Sequence, residues 1–204
     1  MLKRLFDIVF STIVLVLLFP LFLIIGLIIK LTDKGSVFFV QERLGLNGKI
    51  FKVYKFRTMY PNNEEILNNF IQKNPRAKEE WQKYRKLKTY DPRVTLIGKF
   101  LRKTSLDELP QFINVLKGDM SVVGPRPYIY KEFEEYNIPQ ETIKKILSVK
   151  PGITGLWQVT LRNDASFKER IKLDEEYIKN QSFIYDLRII LKTIKVMLTG
   201  KGAY

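Results

Sequence analysis

The longest apolar stretch of the chain runs from Ile8 to Leu31, interrupted only by Ser11, Thr12, Pro20, Gly26 and Lys30. As one straight helix it would measure about 36 Å, enough to cross a bilayer. Soluble core helices rarely stay apolar on every face for this length, and no small-residue cleavage site of a secretory signal follows. Lys3 and Arg4 precede the run, and Lys30 and Lys34 stand at its end. With both flanks basic, the rule that keeps positive charge in the cytoplasm selects neither orientation of a span. Pro20, near the middle, kinks a helix. A re-entrant helix-break-helix satisfies both observations: it dips into one leaflet, bends at Phe19-Pro20 and returns. Arg4 and Asp7, at i and i+3, are expected to pair where the chain enters.

Beyond this run the pattern changes period. Val37 to Arg43 and Ile50 to Met59 read as two strands, and Gly45-Leu46-Asn47-Gly48 between them is a turn signal, so a hairpin is predicted. The second strand carries Lys52, Lys55 and Arg57, either a basic solvent face or cations aimed at phosphate. Pro61 to Thr89 is polar with helical spacing, broken at Pro75, and is expected to pack locally on the surface. A helix is predicted from Leu106 to about Leu116, with Leu109, Phe112, Ile113 and Leu116 on one face. Lys117-Gly118 closes it, as a C-terminal cation and glycine should. Tyr128 to Val149 is a polar helical region. Lys150 to Val159 reads as a turn and a short strand. Phe183, Leu187, Ile190, Leu191, Ile194, Met197 and Leu198 form an apolar stripe opposed by Arg188, Lys192 and Lys195. That basic amphipathic helix suits either a membrane surface or a core.

Composition narrows the chemistry. The 204 residues carry 35 Lys and Arg against 21 Asp and Glu, a formal net charge of +14, which points to an anionic partner. The chain has no cysteine and no histidine. Disulfides, thiolate nucleophiles, His-based triads and most zinc sites are thereby excluded. An enzyme of this composition must work with carboxylate, Lys, Tyr, Ser or Thr, and with an oxygen-liganded metal such as magnesium.

The segment Arg102-Lys103-Thr104-Ser105-Leu106-Asp107-Glu108-Leu109-Pro110-Gln111 best meets that requirement. Ser105 with Glu108 three residues on has the form of a capping box, placing Asp107 and Glu108 in a first helical turn beside two cations. Adjacent residues point about 100° apart on a helix, so the two acids suit divided roles, one as nucleophile or base and one on a metal. From this segment alone, the better reading is that both acids only complement a helix dipole, and Pro110 shifts the balance slightly. Pro110 just inside the helix would free a backbone carbonyl, which a purely structural helix has little reason to accept. In Gly124-Pro125-Arg126-Pro127 the prolines fix the backbone on both sides of Arg126, so its guanidinium suits bidentate phosphate contact. Glycine-rich phosphate loops of the two common kinds are absent.

These motifs together resemble the small monotopic phosphoglycosyl transferases of the bacterial sugar transferase family. The resemblance rests on the N-terminal apolar hairpin, Lys55-Phe56-Arg57-Thr58-Met59, Leu106-Asp107-Glu108-Leu109-Pro110-Gln111, Lys117-Gly118-Asp119-Met120-Ser121, Gly124-Pro125-Arg126-Pro127 and Lys150-Pro151-Gly152-Ile153-Thr154-Gly155. It covers essentially the whole chain. Tyr60 to Arg93, Arg162-Asn163-Asp164 and Gly202-Ala203-Tyr204 are most similar to the catalytic domain of galactose-1-phosphate transferases that prime O-antigen or capsule synthesis, here without their extra membrane helices and accessory domain.

The resemblance implies an α+β fold, mostly helical and monotopic: a re-entrant membrane hairpin over 1–34 and a cytoplasmic catalytic domain over 35–204, with a small β-hairpin and amphipathic interfacial helices. It implies transfer of a sugar 1-phosphate, galactose favoured, from a UDP-sugar to undecaprenyl phosphate with release of UMP, at the inner membrane's cytoplasmic face. By the same resemblance Asp107 is the nucleophile, and Glu108 with Asp107 holds Mg2+. Arg102, Arg126, Lys55, Arg57 and Arg162 contact phosphate or nucleotide, and Pro20 breaks the hairpin. Membrane lipids are expected partners and nucleic acid is not; homodimerisation stays open. The hairpin departs from the family's Ser-Pro break, having Phe19-Pro20 instead. The competing reading is a non-enzymatic basic adaptor on a membrane surface.

Overall fold

The computed structural model describes residues 1–84, 87, 90–161 and 165–199. It is a mostly helical α+β fold built on two small two-stranded sheets. Helices α1 (Leu2–Leu17) and α2 (Phe19–Asp33) meet at Leu18 with a bend of 61°. No single helix among the described residues is long and apolar enough to cross a membrane. Pro20 sits at the second position of α2, where its missing N–H is an orphan donor in any case. The break therefore forms with Phe19 in place of a hydroxyl residue.

Helix α1 turns polar residues inward and leaves leucines exposed. On α1 the inward side carries Asp7 and Ser11, 3% and 0% exposed, while Leu5 and Leu17 are 60% and 71% exposed. The predicted Arg4–Asp7 pair does not form, because each finds a better partner in the body. Asp7 accepts hydrogen bonds from Ser121 Oγ (2.8 Å) and the Val122 N–H (3.0 Å). Arg4 donates to the carbonyls of Val115 (2.6 Å) and Leu116 (3.0 Å). These groups tie α1 to the body, and Ile25 and Ile29 of α2 belong to the same core as Phe51, Val53 and Phe56.

Strands β1 (Phe38–Leu44) and β2 (Ile50–Phe56) form the predicted antiparallel hairpin, Phe38 opposite Phe56. The turn uses left-handed backbone at Asn47 and Gly48. Helices α3 (Asn63–Lys73) and α4 (Pro75–Tyr84) pack on each other around Leu67 and Ala77, with Trp81 at the edge, as a local satellite cluster. Helix α5 (Leu96–Thr104) leads to a short 3-10 turn (Leu106–Glu108), and α6 (Gln111–Lys117) ends at Gly118. Strand β3 (Ser121–Val123) is followed by α7 (Tyr130–Glu135) and α8 (Gln140–Ile146), and β4 (Gly152–Thr154) pairs parallel with β3.

The stretch expected to be a strand through Val159 is a strand only to Thr154. Leu156–Thr160 is a helix, α9, because burying Leu156 and Trp157 overrides the β propensity of the run. Helices α10 (Phe167–Asn180) and α11 (Phe183–Thr199) complete the fold. Helix α11 buries Ile189 but leaves Ile184, Leu187, Leu191 and Ile194 exposed, so its apolar stripe is wider than the core it covers.

Candidate active site

The acidic pair is positioned by a turn rather than by the predicted capping box. Ser105 takes a left-handed conformation (φ 57°) that ends α5, and it makes no side-chain capping bond to the next turn. The backbone then closes through Glu108 N–H to Ser105 O (3.3 Å) and Leu109 N–H to Leu106 O (3.2 Å), a 3-10 pattern. Pro110 lies at the N-cap of α6, outside it, so it deprives the helix of no bond and its carbonyl accepts from Ile113 (3.0 Å). Its role is to start a helix, not to strain one. Asp107 and Glu108 thus project from a tight turn between two helices.

Asn114 of α6 brings this turn onto the sheet. Its buried amide donates to the Lys52 carbonyl (2.7 Å) and accepts from the Tyr54 N–H (3.1 Å), sealing the free edge of β2. That docking brings Lys55 Nζ to 2.6 Å from Glu108 Oε1. Buried Gln111 adds a second hydrogen bond to Glu108. Burial works against ionisation of Glu108, but Lys55, Arg126 and Gln111 outweigh it and hold its carboxyl below the usual range. Asp107 moves the other way. Burial first, and the neighbouring Glu108 charge second, raise it to about 6 against the pull of Lys55 and Arg102. Arg102 is fixed by its Nε donating to Thr58 Oγ1 (2.9 Å).

A second cationic group faces the pair. The loop after β3 and the start of β4 interlock glycine on glycine. Gly124 N–H donates to Thr154 O (2.9 Å) and Gly152 N–H to Pro125 O (2.8 Å), and a Cβ built on Gly152 would meet Gly124 N at 2.1 Å. No larger residue permits that approach. The interlock fixes Arg126, whose N–H also donates to buried Asp174 Oδ2 (3.3 Å), and Tyr128 Oη donates to the same oxygen (2.7 Å). Burial pushes the Asp174 carboxyl up to about 7. Arg126 and Arg170 approach the Trp157 ring at 5.8 and 4.7 Å from its centroid, and Arg43 shares Glu132 with Arg126.

A cavity of about 560 Å³ joins these groups, lined at its polar end by Lys55, Arg102, Asp107, Glu108, Gln111, Arg126 and Arg43. Its size suits a small-molecule ligand. The structure therefore brings together Lys55, Arg102, Asp107, Glu108 and Arg126. It places Arg57 elsewhere: the guanidinium is buried against Asp33, at the end of α2, and the carbonyls of Ser36 and Met59. Arg57 ties the end of α2 to the sheet and does not line the cavity. Arg162, with Asn163 and Asp164, lies outside the described residues. Sequence reasoning missed Arg43, Asp174 and Asn114, because nothing in their local pattern separates them from ordinary surface polar residues.

The model of the family described as bacterial sugar transferase matches residues 1–200. The chain belongs to the bacterial sugar transferase family. Among its relatives, the exopolysaccharide production protein ExoY of Rhizobium meliloti is 47% identical over 204 residues, 100% of this chain and 88% of the relative. An undecaprenyl-phosphate galactose phosphotransferase of Salmonella typhimurium is 48% identical over 204 residues, again all of this chain but 42% of that protein. A UDP-glucose:undecaprenyl-phosphate glucose-1-phosphate transferase of Escherichia coli is 40% identical over 210 residues, with 100% and 42% covered. The printed names of these relatives include both a galactose and a glucose 1-phosphate transferase.

Proposed function

We propose that this sugar-phosphate transferase moves a hexose 1-phosphate from a UDP-hexose to undecaprenyl phosphate, in two steps through Asp107. The observation that carries the reading is the placement of Asp107: half-buried in the cavity beside Arg102, with a carboxyl that is ionised at neutral pH yet poorly solvated. A carboxylate oxygen of Asp107 attacks the sugar-bearing phosphorus. A new O–P bond forms, the bond to the bridging oxygen breaks, and UMP leaves with that oxygen and its electron pair. A phosphate oxygen of the lipid acceptor then attacks the same phosphorus, and Asp107 departs as a free carboxylate. Arg102 and Arg126 neutralise the diphosphate where charge accumulates. Splitting the transfer lets a water-soluble donor and a lipid acceptor use one site in turn.

No group of three or more acidic, His or Cys side chains suited to a metal occurs among the described residues. Two adjacent carboxylates nevertheless fit Mg2+, which takes one or two carboxylates and completes its shell with water and substrate phosphate oxygens. Glu108 and Asp107 would hold it, and when bound it supplies positive charge against the donor diphosphate.

The exposed apolar surface of α1 and α2 supports a membrane location: Asp7 and Ser11 are turned inward and leucines outward, lipid suits that surface, and the 61° bend at Leu18 is compatible with both ends lying on one side. The cavity then opens at head-group level, where an acceptor phosphate stands. The test is Asp107→Asn, for which UMP release from UDP-hexose falls by roughly three orders of magnitude or more. Near-normal turnover by that variant overturns the assignment. Incubation of wild type with donor alone, without lipid, is expected to leave a hexose phosphate mass on the peptide containing Asp107.

A further inference from the structure

The cavity does not end at the charged groups. Its remaining lining is largely apolar and draws on two helices. Helices α1 and α11 touch near their first turns, where Phe6 packs edge-on against Phe183 at 5.4 Å between centroids and Lys3 pairs with Asp186. Further along, Phe10 and Val14 of α1, Leu18 at its C-terminal break, and Ile190, Ile194 and Met197 of α11 line the same cavity. The two sets recur at i, i+4, i+8 and at i, i+4, i+7, so each helix turns one continuous face to the space. Of the polar side chains that line the cavity beside these faces, Thr154 and Thr193 are hydrogen-bonded to each other at 2.7 Å, and Gln158 donates to the Ile153 carbonyl at 3.1 Å. Ile194 and Met197 remain 51% and 38% exposed while lining the cavity. They are apolar groups beside a space that none of the described residues fills.

We propose that this groove between α1 and α11 binds the first isoprene units of the polyprenyl phosphate acceptor, while the acceptor phosphate reaches Asp107. The inference rests on the two-substrate reading above and adds the place of the lipid chain. The occupant is identified by continuity: one unbroken cavity joins a cation-lined acidic site to an apolar slot, which matches a phosphate carried on a linear hydrocarbon. A hexose requires hydrogen-bonding walls and suits the charged end instead. In this arrangement α11 is a wall of the acceptor site, with the groove face taking the chain and the Leu191 face, 67% exposed, left to bulk lipid.

The test places a benzophenone side chain at position 194 or, as a control on the outward face, at position 191, in the full chain held in phospholipid discs. The sample is illuminated with farnesyl phosphate. The expected result is a farnesyl phosphate adduct at 194, suppressed at least tenfold by excess undecaprenyl phosphate but not by farnesol, and none at 191. Equal adducts at both positions, or no suppression by undecaprenyl phosphate, mark an ordinary lipid contact and overturn the groove. Turnover of the wild type with a UDP-hexose is scored separately. An adduct at 194 without any transfer keeps the groove and removes the reaction; transfer without an adduct does the reverse.

Discussion

Lys55 Nζ stands 2.6 Å from Glu108 Oε1, and this pair joins the β2 strand to the turn that carries Asp107. Its charge lowers the proton affinity of both carboxylates. Lys55→Met therefore raises both. At pH 7 a larger share of Asp107 is protonated, and kcat/KM is expected to fall by about tenfold or more, with part of the loss recovered at higher pH. A loss that is the same at every pH would mean that Lys55 acts on substrate and not on the nucleophile.

The raised Asp107 carboxyl sets an acid limit. In the proposed mechanism the ionised form of Asp107 attacks, so kcat/KM should decline below pH 6, by about tenfold per pH unit well below it. Glu108 contributes to the upward shift by like charge. In Glu108→Gln that limb should move to lower pH, although maximal rate drops. A pH–rate profile on both proteins checks the direction. The stability consequence has the opposite sense. The folded chain keeps this proton to a higher pH than the unfolded chain, so stability is lost as pH rises from about 4 through 6. Asp107→Asn should melt higher than wild type at pH 7 while being inactive.

Arg57 is a structural cation. Its partner Asp33 has only 12% of its side chain exposed. Arg57→Ala removes both guanidinium bonds to that carboxylate, leaving it the Gly35 N–H at 2.9 Å, and should cost about 3–5 kcal/mol, seen as a lowered melting point and as proteolysis between α2 and β1. The donor KM of the surviving folded fraction should stay within about twofold; a large rise would restore Arg57 to the phosphate site.

Gly98 lies in α5 directly against β2's extension, and a Cβ there would meet the Thr58 carbonyl oxygen at 2.0 Å. Gly98→Ala should destabilise the fold by roughly 1–3 kcal/mol. It should also raise the donor KM, since α5 carries Arg102 and Thr58 Oγ1 orients that guanidinium. Thermal denaturation and donor titration measure the two effects separately.

Much of the site was legible in the sequence because its residues are clustered in it. Asp107, Glu108 and Arg102 fall within seven positions, and the absence of cysteine and histidine narrows the candidate reactive groups to carboxylate, Lys, Tyr, Ser and Thr. The hairpin break was equally plain, since a proline in an apolar run has few other outcomes. Arg57 was misplaced for a reason that periodicity cannot remove. It lies two residues after Lys55, on the same strand-parity face, and the two part company only because β2 ends at Phe56 and the chain turns toward Asp33.

The amino-acid sequence by itself determined the apolar hairpin, the β1–β2 turn, the acidic pair and the chemistry open to a chain without thiols or imidazoles. Those are properties of composition, local propensity and period. The tertiary structure alone decided which cation meets which carboxylate, that Ser105 ends a helix instead of starting one, and that Gly124 and Gly152 interlock to hold Arg126. The physical reason is distance. Lys55 and Glu108 are separated by 53 positions and Arg126 and Asp174 by 48, and only the docking of Asn114 on the β2 edge and of β3 beside β4 converts those separations into contacts.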